Sequence, residues 1–247
     1  MSTAEKQEIN RLNRVGMTYF RPLVMAVLMN EPDEGRRIAL FQHIERFIFL
    51  AFRMGAARSN YGSSEFSNIV RKVDRGTANV DDINKMLEER LSFTFNPDKT
   101  LRIADFHSLL QKKFENRYPG GYYEWFGLRY FLYEYELSLL SETRQAKFDW
   151  DDLLKTPKDK ISIEHIYPQT PNDEWVKAFD QIKSKDRPNY GATLGNLLLL
   201  SASINSSLQN DGFASKKEPR YTAAGQKIRN GYADGSHSEI EVAIQTN

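Results

Sequence analysis

His165 is the side chain in this sequence best suited to move a proton. It lies in the run Ile161-Ser-Ile-Glu-His-Ile-Tyr-Pro-Gln169, directly after Glu164 and three residues before Pro168. A free imidazole titrates near about pH 6.5, so at neutral pH it can take a proton from water. Phosphodiester hydrolysis needs such a base, a cation for the charge on phosphate, and positioning for in-line attack. Glu164 and Asn205 carry hard oxygen donors of the kind that Mg²⁺ or Mn²⁺ takes, usually one or two from protein beside water and phosphate. The other histidines suit other roles. His43 and His107 fall among apolar residues on helical patterns and read as packed, hydrogen-bonded rings. His237, in Asp-Gly-Ser-His-Ser, reads as a solvated loop residue.

Three elements must position these groups. Ile161–Ile166 is a short apolar strand pattern. Gly195-Asn196 is a turn that feeds Leu197–Leu200, a buried strand. Ile204-Asn-Ser-Ser206 opens a short helix over Ser203–Leu208, and a further helix is expected from Ala214 to about Arg229. Strand, strand, helix, with an imidazole on the first element and an Asn on the last, is the order of a ββα-metal nuclease site. Adjacent strand residues point to opposite faces. Glu164 and His165 therefore serve one site only if the strand ends or bulges between them, and Pro168 favours an end.

These residues carry a family resemblance. Glu164-His165-Ile166-Tyr167-Pro168, Gly195-Asn196-Leu197, Asn205, and Phe213 with Lys216-Lys217 resemble the C-terminal HNH (His-Me finger) nuclease domain of GmrSD-type and SspE-type restriction and phage-defence proteins. The aromatic stretch Arg129–Glu136 looks like the helix before that nuclease. The resemblance implies His165 as general base and Glu164 and Asn205 as ligands of one Mg²⁺ or Mn²⁺. It makes Asn196 the residue that bonds backbone and holds the His-bearing loop, and it gives Lys216 and Lys217 a place at DNA. It also implies an N-terminal ParB-like sensor or NTPase domain on the same full-length protein. No Gly-rich phosphate loop for one is present here, so the chain is expected to be a C-terminal fragment.

The rest of the chain reads as helical support. Helices are expected over Glu5–Asn30 with a break at Pro22, Arg36–Arg58, Ser63–Val73, Val80–Leu91, Lys99–Phe114 and Tyr122–Glu142. The last is the most aromatic and is expected to pack on the nuclease domain. A composition change after Lys155, with linker-like Thr156–Lys160, sets the expected domains at 1–155 and 156–247. The expected fold class is mainly α: a helical N-terminal region followed by a small ββα-metal unit.

Composition narrows the function classes. The 247 residues include no cysteine, which excludes disulfides and thiolate-ligated zinc and fits a cytoplasmic protein. No stretch reaches the ~20 apolar residues of a membrane span. Net charge is +1, so no global field points to nucleic acid. Locally, Lys183 to Arg229 holds eight Lys/Arg against three Asp/Glu. Lys185, Arg187, Lys216, Lys217 and Arg220 are the expected phosphate contacts. The expected function is a metal-dependent DNA endonuclease or nicking module of a bacterial defence protein. The alternative is a DNA-binding or scaffolding module that keeps the fold without cleavage.

Overall fold

Ser2 opens the first helix, α1 (Thr3–Val15). Its hydroxyl accepts the Glu5 amide while the Glu5 carboxylate takes the Ser2 amide. Gly16 closes α1 in the left-handed region at φ +95°. Pro22 sits in the first turn of α2 (Arg21–Asn30), where its missing N–H would have had no helical partner. Asp33 caps α3 (Glu34–Ile48) and Asn79 caps α5 (Val80–Leu91), with α4 (Ser63–Asp74) between them. The next helix, α6, spans Ala104–Phe114.

The computed structural model describes residues 1–55, 57–115, 120–139, 149–153, 161–235 and 237–245. Its contacts divide the chain into two compact units, Met1–Leu109 and Leu110–Asn247. The expected linker Thr156–Lys160 lies outside the described residues. The boundary at 109/110 assigns the aromatic helix to the second unit.

The first unit is built on apolar helix faces. Leu12, Leu23, Leu40, Phe41, Ile44 and Phe47 are completely buried. Phe20, Phe47 and Phe66 meet with centroids 4.6 to 5.7 Å apart. Arg37 reaches the buried Glu5 carboxylate at 2.6 Å. Among the described residues, no strand of a sheet occurs before residue 160.

The second unit holds a 3₁₀ turn (Gly121–Glu124), α7 (Leu128–Ser138), α8 (Trp150–Leu153), β1 (Ile161–His165), α9 (Asp173–Ala178), α10 (Arg187–Gly191), β2 (Leu197–Ser201), α11 (Ala202–Leu208), α12 (Phe213–Lys217), β3 (Arg220–Tyr221), β4 (Lys227–Arg229) and α13 (Ser238–Gln245). β1 and β2 pair antiparallel, Ile161 opposite Ser201 and His165 opposite Leu197. α11 packs across both strands, so the ββα order is present and the fold is mainly α with a small nuclease-type unit.

Two expected helices change form. Tyr122–Glu142 is not continuous: Trp125 is extended, and α7 begins only at Leu128. The expected helix over 214–229 ends at Lys217. Pro219 disfavours helical geometry at Glu218, which is extended at φ −95°, ψ 149°. The chain then forms the β3–β4 hairpin, turning through Gly225 at φ +78°.

Candidate active site

β1 carries its chemistry on two faces. The register pairs Ser162 with Leu200 and Glu164 with Leu198. These four share a face. Leu198 and Leu200 join Leu208, Tyr232 and Ala243 in one core. His165 pairs with Leu197 on the opposite face. β1 continues its ladder to His165 without a bulge, so carboxylate and imidazole diverge.

Glu164 is buried and ion-paired. Its Oε1 accepts from the Lys216 ammonium at 2.7 Å and from the Tyr232 hydroxyl at 2.8 Å. Lys216 is fully buried, and it also donates to the carbonyls of His165 at 3.0 Å and Ile166 at 3.1 Å. Burial raises the Glu164 pKa, against the pull of Lys216 and Tyr232. Burial, then the Glu164 charge, drives the Tyr232 phenol upward, so it stays a donor.

This arrangement corrects two expectations. Lys216 does not face DNA: three oxygens inside the unit take its ammonium. Glu164 faces the core, and its Oε1 already serves an internal cation and a phenol rather than a site beside His165. Asn205, half-buried on α11, donates from Nδ2 to Ser162 Oγ at 2.8 Å, not toward the imidazole face. Among the described residues, no three His, Cys, Asp or Glu gather as a metal set. With Glu164 Oε1 and Asn205 Nδ2 bonded inside the unit and Glu164 facing away from His165, the pair does not fit a Mg²⁺ or Mn²⁺ site beside the imidazole.

Asn196 bonds backbone groups of the loop after His165. The Tyr167 amide donates to its Oδ1 at 2.6 Å. Its Nδ2 donates to the carbonyls of Tyr167 at 3.0 Å and Gly191 at 2.9 Å. Its own carbonyl accepts the Ile166 amide at 3.0 Å. The loop after His165 is thereby fixed from both sides. Tyr167 packs beneath it against Trp175 and Phe179. Asn196 is a positioning residue.

His165 is 9% exposed. The Tyr123 ring lies against it, centroids 4.8 Å apart. Its Nε2 is 3.2 Å from the Gln169 amide nitrogen. With the amide oriented this way, the ring accepts at Nε2 and carries its proton on Nδ1. Burial lowers the imidazole pKa to about 4, with the Lys216 charge adding to the shift. The ring is neutral at physiological pH and its lone pair is available to a water that displaces Gln169. Tyr123, Gln169 and Tyr232 were missed from the sequence. Gln169 had a signal, four residues beyond the histidine in the same run. Tyr123 and Tyr232 are joined to β1 only by tertiary contact.

The remaining expected DNA contacts are spread over this unit. Lys185 and Arg220 are exposed; Arg187 and Lys217 are half-buried. Arg187 Nε donates to the Ile182 carbonyl at 2.9 Å. A cavity of about 340 Å³ opens nearby, lined by Phe131, Tyr135, Glu136, Ile166, Gly195 and Glu241 among others. It touches the neighbours of His165 and Asn196, not His165 itself.

Residues 110–242 match the family model described as GmrSD restriction endonucleases, C-terminal domain. That span is more than half of the chain and contains β1, β2, α11 and every site residue described above. No curated protein and no solved structure gives a match. The chain belongs to the GmrSD restriction endonuclease C-terminal domain family.

Proposed function

We propose that this chain hydrolyses DNA phosphodiester bonds as an HNH-type nuclease module, with His165 as the base that activates water. The observation that carries this reading is the neutral imidazole on a loop fixed by Asn196, inside the family-matched unit. A neutral histidine can accept a proton as attack begins, a contribution of about 10²- to 10⁴-fold in rate. Tyr123 and Gln169 hold the ring's plane and its tautomer. Asn196 and the Lys216 ammonium hold the backbone from His165 to Tyr167. Substrate must shift Tyr123 or Gln169 to reach the ring. The same reading makes the chain part of a cytoplasmic bacterial antiviral restriction system, joined in the full-length protein to a ParB-like sensor or NTPase domain. No described helix is long and apolar enough to cross a membrane.

Supercoiled-plasmid cleavage by the wild type and by His165→Ala, each with and without Mg²⁺ or Mn²⁺, tests the reading. Cleavage by the wild type and its loss in His165→Ala is the expected outcome. Accumulation of open circles would identify nicking. A requirement for the cation would show that a divalent ion takes part in cleavage. The second reading is a DNA-binding or scaffolding module without cleavage. The covered imidazole and the internally paired Glu164 favour it. It predicts DNA binding with no cleavage under any of these conditions.

A further inference from the structure

The β3–β4 hairpin leaves the fold between two residues that hold the same carboxylate. Lys216, just before it, and Tyr232, just after it, both bond Glu164 Oε1. Its base is locked further. Arg229 is buried and donates to Asp211 and to the Ser215 carbonyl. Gly231 runs so close to the Lys217 carbonyl that a Cβ there would lie 2.3 Å from its oxygen. The turn is closed by the Thr222 amide on the Gln226 carbonyl at 2.8 Å.

The solvent side of the ribbon has the opposite character, from Arg220, opposite Arg229 at the base, to Tyr221, opposite Lys227. Tyr221 is 53% exposed and Ile228 57%. Arg220 and Lys227 are exposed beside them. Arg220 enters none of the ion pairs among the described residues, while Lys227 meets Asp234 at 2.7 Å. A two-stranded ribbon with a rooted base thus presents basic residues and two large apolar side chains to solvent. A duplex suits that surface. Its major groove admits a two-stranded ribbon, phosphates take the guanidinium, and a tyrosine face suits sugar and base edges.

We propose that the 220–229 hairpin is a DNA-gripping arm, tied at its base to the strand that carries His165. The proposal rests on the nuclease reading and adds a surface to it. The Lys216–Glu164–Tyr232 clamp sets the position of a gripped duplex relative to His165, one residue along β1.

The test uses the full chain and a short fluorescein-labelled duplex, read by anisotropy over a salt series. Tyr221→Ala/Ile228→Ser and Arg220→Ala alter exposed groups, and their melting curves are expected to overlay the wild type. Each is expected to weaken binding about tenfold, and Arg220→Ala to lower the salt slope by about one. Cleavage at saturating DNA should keep its rate, so the loss falls on KM and not on kcat. Wild-type binding with unchanged affinity in both variants overturns the arm and leaves the nuclease reading standing. Unchanged affinity with an altered oligomeric state assigns that surface to a protein partner and also overturns it. A wild type that does not bind the duplex overturns both.

Discussion

The proposed base works only while unprotonated, and burial keeps the His165 imidazole in that form down to about pH 4. The cleavage rate is therefore expected to stay level from about pH 5 to 8, without the usual imidazole limb. A limb near pH 6.5 in single-turnover plasmid cleavage would contradict this. The same shift acts on stability. Unfolding returns the imidazole to about 6.5, so the unfolded chain binds more protons between the two values. The stabilising contribution is whole above about pH 6.5 and falls as pH drops toward about 4. His165→Gln should remove that acid slope in urea melts. Glu164→Gln leaves the Lys216 ammonium buried without a counter-charge and should cost about 3–5 kcal/mol by urea denaturation. Adding Lys216→Met should recover most of it, since replacing both partners removes the unpaired charge. His165 and Asn196 were legible as residue types at telling positions. Lys216 was not, because a lysine reads as solvated and its partner lies 52 residues away.

At the scale of elements, the His165 loop is held by two side chains, Asn196 and Lys216. Asn196→Ala removes three hydrogen bonds to backbone groups that stay buried or half-buried. The expected cost is about 3 kcal/mol at ~1 kcal/mol per bond, seen as a lower urea midpoint. In the fraction that stays folded, kcat should fall more than KM rises, since the base loses orientation rather than substrate contact. An unchanged kcat would make Asn196 structural alone. β1, β2 and α11 were legible because an apolar run, a Gly-Asn turn and a polar helix start each have a local cause. The β3–β4 hairpin was not. Its strands are short and largely exposed, so no alternation of buried positions marks them. Pro219 was the available sign that a helix could not continue past Lys217.

Across the whole molecule, the contacts divide the chain into two units at 109/110. α7 packs on β2, a tertiary contact that composition cannot show, and this places the aromatic helix with the nuclease unit. A fragment from Arg102 to Asn247, which keeps α6 whole, is expected to fold alone with a single cooperative urea transition. Its plasmid cleavage should match that of the full chain. Failure to fold would mean that the first unit completes the core of the second.

The Glu164 clamp also sets an order of events during synthesis. β1 is translated before both partners of Glu164, so its carboxylate meets its ammonium only when Lys216 leaves the ribosome, and its phenol only after Tyr232 follows. Until then a nascent chain carries a glutamate that cannot be buried without a counter-charge, so the strand bearing His165 stays solvated and its loop unset. A chain that stops short of Lys216 lacks the ammonium for Glu164, and such a truncation is expected to be degraded faster by added protease than the whole chain.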